Sequence, residues 1–270
     1  MYIGQHLIKY IGTSPEYFVK PGTMSISGNA FRNCIGLVSV TIPYGVKDIG
    51  EFAFVGCTAL NSVSIPNNEI CIGEDAFDNT ALFEIEENWE NGVFYLGRHL
   101  IKTNYDTCGE LFVKSGTITV GSAAFKGCKK ISSVIIPDGV IQIGYEAFGE
   151  CSNMTSVLLP NSVTKIGAAA FYGCEQLTSV DIPANLTEIS DNLFDNCVSL
   201  ISVVIPKGVV KIGKGAFIGC SNLKSVAIPD SVNDIAVGAF NECPSLVIYG
   251  SKGSVAERYA IECHIKFEEI

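Results

Sequence analysis

Ile212-Gly213-Lys214-Gly215-Ala216-Phe217-Ile218-Gly219-Cys220-Ser221-Asn222-Leu223-Lys224-Ser225-Val226-Ala227-Ile228-Pro229-Asp230-Ser231-Val232-Asn233-Asp234 decides the fold, because its pattern returns from one end of the chain to the other. Its first six positions are an aliphatic residue, a small residue, two variable ones, Ala or Leu, and Phe. This hexad begins at Ile26, Ile49, Ile72, Val120, Ile143, Ile166, Ile189, Ile212 and Ile235. The starts lie 23 residues apart, except that Ile72 to Val120 spans 48, two repeats plus two residues. A fixed period in the twenties marks a solenoid, whose coils each bury a face against the next.

Within each period Leu-x-Ser-Val-x-Ile-Pro, as in Leu177-Thr178-Ser179-Val180-Asp181-Ile182-Pro183, alternates β-branched residues and ends on a proline that cannot extend a ladder. It reads as a short parallel strand with Val180 and Ile182 inward and Ser179 and Asp181 outward. The hexad then lies opposite, its small second residue permitting a tight bend. Its phenylalanines, Phe31 to Phe240, form a stacked spine worth roughly 1.5–3 kcal/mol per buried ring.

The chain of 270 residues is 47% hydrophobic and 17% charged, enough apolar surface for one continuous core. A net charge of -10 argues against nucleic acid or an anionic membrane as partner. No apolar run is long enough to span a bilayer. Tyr2-Ile-Gly-Gln-His-Leu-Ile-Lys9 returns as Tyr95-Leu-Gly-Arg-His-Leu-Ile-Lys102, and Phe18-Val-Lys-Pro-Gly-Thr23 as Phe112-Val-Lys-Ser-Gly-Thr117. The extra length is therefore a second copy of the opening. Turn residues at 91–92 and 97–98 make it a β-hairpin leaning on the stack. The first copy has no strand before Tyr2, so the chain reads as a piece of something longer, with any export signal or anchor outside it.

The consensus Ile-Gly-x-x-Ala-Phe-x-x-Cys-x-x-Leu-x-Ser-Val-x-Ile-Pro-x-x-Val resembles the 23-residue leucine-rich repeats of the BspA-like, or Treponema pallidum, class over nearly the whole chain. The resemblance implies an α/β leucine-rich-repeat class fold: a right-handed solenoid of short parallel strands with little helix. It also implies a cell-surface or secreted protein, often one that adheres to host cells or matrix proteins, and no single ligand. The expected organisation is one solenoid over 1–270. It divides into a partial hairpin and opening coil (1–25), repeats (26–82), an inserted hairpin (83–110), repeats (111–248) and a C-terminal cap (249–270). Ser254 to Glu257 reads as a capping box ahead of a terminal helix, with a strand at 265–267.

Eight of eleven cysteines occupy one repeat position, from Cys34 to Cys243. Neighbours one coil apart, about 4.8 Å with parallel Cβ vectors, do not suit a disulfide, which needs converging Cβ atoms. Free buried thiols are expected, and parallel ligands make no metal site. Cys108 also aligns with a core position. No catalytic set emerges: His6 and His99 are equivalents, the serine column has no base to activate it, and the glycine-rich hexads lack a phosphate-loop lysine. The acidic run 84–90 matches no calcium loop. The expectation is a non-enzyme without cofactor or metal.

The outward strand position reads Phe18, Thr41, Ser64, Phe112, Ile135, Leu158, Asp181, Val204 and Ala227. Large apolar residues where water favours polar ones tend to mark interaction surfaces. The candidate protein-binding site is Phe112, Ile135 and Leu158 on the concave sheet, continuing to Asp181 and Val204, with Trp89 and Tyr95 of the hairpin beside it. Two other readings stand next to it: the hairpin covers the stripe, or β-propensity alone chose these residues. A glycan module using the hairpin aromatics is the alternative function.

Overall fold

The computed structural model describes all 270 residues as a solenoid of short strands. The Ser-Val-x strands pair in parallel, each with its equivalent 23 residues on: Ser39–Thr41 with Ser62–Ser64, Ile131–Ile135 with Ser156–Leu158, Ser202–Val204 with Ser225–Ala227. A second parallel ladder of two-residue strands, such as Asp48–Ile49, Gln142–Ile143 and Lys211–Ile212, runs where each hexad begins. Between them the hexad turns bond from coil to coil, Phe31 N–H donating to the Ala53 carbonyl at 2.7 Å and Phe125 N–H to Ala147 at 2.7 Å.

The bends come from positions other than the hexad's second residue. The fourth hexad position holds a left-handed backbone in every coil, including Asn29, Asp75, Ala169 and Gly238, and so does the residue before the cysteine position, including Asn33, Gly56, Glu150 and Gly219. The second-position glycines have ordinary backbone angles and serve close approach: a Cβ on Gly144 would stand 2.5 Å from Ser122 N, and one on Gly167 2.5 Å from Tyr145 N. Glycine there sets the coil spacing.

The phenylalanine spine forms as expected. Phe31, Phe54 and Phe77 stack at 4.6 and 5.1 Å, and Phe125 through Phe240 at 4.7–5.5 Å, with rings close to parallel. Tyr10 and Tyr17 close the first stack against Phe31. At the other end the helix Val255–Glu262 sets Tyr259 edge-on to Phe240, 5.8 Å between centroids. The capping box is present, Ser254 Oγ accepting from Glu257 N–H at 3.3 Å and the Glu257 carboxylate from Gly253 N–H at 2.6 Å. The final strand, Lys266–Glu269, pairs in parallel with Val247–Gly250 and covers the last layer.

The insert departs from expectation: it is a layer of the stack and does not lean on it. After Phe77 the chain leaves the sheet through two short 3-10 turns, Ala81–Glu84 and Glu86–Asn88. It then forms a three-stranded meander, Trp89–Glu90, Val93–Leu96 and His99–Thr103, whose last strand joins the two-residue ladder beside Thr119–Val120. Alternation sends Phe94, Leu96 and Ile101 into an upstream core of 22 buried residues, and Val93, Tyr95 and Leu100 into a downstream core of 52. The opening hairpin is built the same way, Tyr2–Ile3 against His6–Leu7 and then Ser25–Ile26.

All eleven cysteines are free, and seven of the eight in the column are buried, Cys34 at the open end being half-buried. Six of the eight column thiols have a use that the spacing does not reveal. Cys57, Cys151, Cys174, Cys197, Cys220 and Cys243 donate at 3.0–3.2 Å to the carbonyl of the phenylalanine one coil earlier. Thr80, standing in for cysteine, turns its hydroxyl to Phe77 O in its own coil at 2.8 Å. Burial pushes the Cys174 thiol up to about 12 and raises its neighbours' as well. Cys108 is exposed, contrary to expectation: a register shift at Gly109 slides it one place outside the strand Gly109–Phe112. A water-soluble thiol reagent should therefore label Cys108 and Cys263 promptly, Cys34 and Cys71 slowly, and the seven column thiols only on denaturation. Prompt labelling of all eleven in the native protein would contradict the buried column.

Candidate functional site

Phe112, Ile135 and Leu158 lie directly opposite one another on three adjacent strands, held in register by the ladders from Gly109–Phe112 to Ile131–Ile135 and on to Ser156–Leu158. Each projects outward because its strand neighbours, Leu111, Val134 and Val157, are spent on the core. Phe112 is 61% exposed and Leu158 57%, with Ile135 half-buried between them. Nothing in the fold covers the three. The hairpin, which might have done so, is occupied inside the stack.

The stripe then breaks. Residues around Asp181 adopt no regular strand, and the sheet resumes only at Ser202–Val204. Asp181 is exposed and interrupts the apolar row with a charge; beyond it Val204 stands 72% exposed, facing Ala227 and then Tyr249 along the next sheet. Phe18, the same position in the opening coil, is also exposed but lies on a separate sheet with Thr41 and Ser64. The sequence column thus resolves into one compact apolar patch and isolated members.

Trp89 and Tyr95 do not join that patch. Tyr95 is only 6% exposed, its ring in the downstream core and its hydroxyl accepting from Lys114 N–H at 3.1 Å. Trp89 is half-buried against Phe83 and Phe94, with Nε1 donating to Phe83 O at 2.9 Å. Inward alternation of the meander takes both rings, which the turn signals at 91–92 and 97–98 could not reveal.

The reactive side chains are placed for structure. His99 is fully buried; Nε2 meets Pro66 O at 3.1 Å and Nδ1 meets Thr119 Oγ1 at 2.8 Å, and burial holds its pKa below the ordinary value. Its counterpart His6 bonds Ser25 Oγ at 2.7 Å in the open. No three His, Cys, Asp or Glu side chains converge in a way that could hold a metal ion. No helix is long and apolar enough to cross a membrane.

The repeat itself matches the BspA type leucine-rich repeat region in six copies, over residues 24–99 and 118–247. The chain belongs to the BspA-type leucine-rich repeat family. This BspA-type chain is similar to a solved leucine-rich repeat protein from Eubacterium ventriosum, at 19% identity over 88% of each chain with a TM-score of 0.54, which shows the common fold. It also matches the T. pallidum leucine rich repeat protein (25% identity, 81% of this chain and 82% of that one, TM-score 0.38). A leucine rich cell surface protein from Faecalibacterium prausnitzii matches too (24%, 91% and 81%, 0.48). No curated protein is significantly similar to the chain. The gap between the two matched stretches, residues 100–117, takes in the end of the meander's last strand, the loop after it and the strand Gly109–Phe112.

Proposed function

We propose that this array is a non-enzymatic interaction module, displayed at the cell surface or secreted, that holds a protein partner of host or matrix origin through the sheet face around Phe112, Ile135 and Leu158. The observation that supports it is the register: three adjacent coils each spend their outward position on a large apolar side chain, making a contiguous patch without a cover. Patches of that kind in soluble repeats mark contact surfaces, and a rigid sheet fixes the three anchors at no ordering cost on binding. Asp181 and Val204 would form the rim, a charge beside a second apolar group. The glycan alternative has less support from the hairpin, since Tyr95 is buried and Trp89 is half-buried on Phe83 and Phe94.

The test is binding of the purified array to extracellular-matrix proteins, with a glycan array in parallel, for the wild type and for Ile135→Glu with Leu158→Glu. Both side chains point away from the core, so the fold should survive, while two buried charges at an apolar interface should weaken protein binding about 100-fold or more. Protein binding that ignores the double variant would remove the patch from consideration, and selective glycan binding would replace the protein reading altogether.

A further inference from the structure

The second residue of each hexad donates its N–H to the layer before it, as Gly144 does to Val120 O, Gly167 to Ile143 O and Gly213 to Ile189 O, at 2.8–2.9 Å. Ser190 alone among the nine does not; its hydroxyl donates to Ile166 O in place of its amide. The same interface is open on the concave sheet. There the residue after each strand reaches the next coil, Ile136 N–H to Leu158 O and Ile205 N–H to Ala227 O at 3.0 Å, but Leu159 N–H finds no carbonyl on the coil of Asp181. Thr178 N–H to Thr155 O is stretched to 3.4 Å. Both parallel ladders therefore stop between these two coils, one at Lys165–Ile166 and the other at Ser156–Leu158.

Solvent follows the opening. Val134 and Val203 are 1% and 3% exposed, whereas Val157 and Val180, which face each other across the break, are 7% and 8%. A cavity of about 280 Å³ lies on the other ladder, lined by Lys165 and Gly167 from one coil and Glu188 and Ser190 from the next. What still crosses is the hexad row, with Ala169 N–H to Asp191 O at 2.9 Å, Phe171 N–H to Leu193 O at 3.0 Å and Gly173 N–H to Asp195 O at 2.7 Å. A side-chain tie adds to it, Asn161 Oδ1 accepting from Ala184 N–H at 3.0 Å.

The side chain of Ser190 accounts for the break. Glycine at this position brings the coils so close that a Cβ would collide with the backbone before it, as at Gly144 and Gly167. Ala236 shows that a methyl alone is absorbed, since its N–H still reaches Ile212 O at 2.9 Å. Serine brings a donor along with the Cβ, and the hydroxyl captures the carbonyl that the amide would have used. Ser27, the other serine at this position, abuts the opening hairpin and keeps its N–H bond to Leu7 O at 2.8 Å.

We infer that Ser190 makes the interface between Ile166 and Ile189 a bending joint. The segments on either side swing about the bonded hexad row, which opens and closes the concave face just beyond Leu158. The joint uses no ligand, so it stands or falls apart from the reading of the Phe112 patch.

Cys108 and Cys263 are exposed and lie on opposite sides of the joint. Brief spin-labelling of the full chain at these two thiols sets nitroxides roughly 30–35 Å apart at about 4.8 Å per coil, a separation that double electron–electron resonance measures. The distance distribution of the wild type should be at least twice as broad as that of Ser190→Gly. Glycine already serves at this position in six of the nine hexads, so the fold accepts it. Amide exchange at Leu159 should slow at least tenfold in the same variant, and because Leu159 sits on the other ladder, a merely local effect of the substitution would leave it fast. Ser190→Ala, which keeps the Cβ and removes the donor, should narrow the distribution as Ser190→Gly does. Equal widths in the wild type and Ser190→Gly, or Leu159 exchange indifferent to the substitution, would overturn the inference. A Ser190→Ala protein as broad as the wild type would overturn it as well.

Discussion

Replacing Phe171 by alanine is expected to cost about 3–5 kcal/mol of folding free energy, the range for emptying a buried aromatic site that cannot collapse. The ring is fully buried between Phe148 at 5.2 Å and Phe194 at 5.5 Å, and each neighbour is fixed by its own coil. The Phe171 carbonyl also accepts the Cys197 thiol, so a backbone shift to fill the void would break that bond. Its coil is the one whose strand around Asp181 is irregular, so less ladder remains there to hold adjacent coils together. In a solenoid governed by nearest-neighbour contacts the loss falls on two interfaces at once. Urea denaturation should show an early midpoint and a reduced slope, as the array begins to part at that coil. A loss under about 1 kcal/mol would mean that the spine is not what binds the coils.

Phe94→Ala should cost a similar 3–5 kcal/mol and produce a different signature. Phe94 is fully buried, packed on Phe83 at 4.3 Å and Trp89 at 5.3 Å, and it is the largest fully buried side chain that the meander sends into the upstream core. Its strand neighbours Val93 and Tyr95 serve the downstream core instead. Truncating Phe94 therefore weakens the smaller core and its hold on the larger one while leaving the larger nearly intact. The expected result is two separate transitions, the 22-residue core melting first, visible as loss of exchange protection at Ile49 and Ile72 before Ile143 and Ile212. A single cooperative transition at lower denaturant would show that the contacts left across the seam, Leu96 and Ile101 in the upstream core, Ser122 N–H to Ile72 O and the ion pairs of Lys102 and Lys126, suffice to keep the halves coupled.

Much of this was written in the period. Twenty-three-residue spacing, one Phe per coil and a proline closing each strand left a single arrangement that buries every ring, and the capping box at Ser254 announced the terminal helix. Elements without a repeat were harder to read. The meander's turns were visible at Asn91-Gly92 and Gly97, but a run such as Val93-Phe94-Tyr95-Leu96 is apolar on both faces, and nothing local says that each face serves a different core. That ambiguity placed Tyr95 on the surface when it belongs inside. Glycine at the second hexad position was read as a bend because glycine is permissive, yet its role is to let Gly121-Ser122 pass close by Gly144. The outward stripe was legible as a column, and its interruption at Asp181 was not, since the segment there keeps the consensus letters while losing the strand.

The buried cysteine column gives the protein a direction in time. While the coils are stacked, seven of the eight column thiols are buried, six thiols donate to a carbonyl, and burial raises their pKa values, so an oxidising medium has little purchase on them. Once a coil opens, thiols from successive repeats become accessible together on a mobile chain, and mispaired disulfides can form faster than the stack rebuilds. Opening is then a one-way event outside a reducing environment. The working lifetime of the array is set by the rate at which its weakest coil first separates, and the equilibrium free energy of folding ceases to be the quantity that matters.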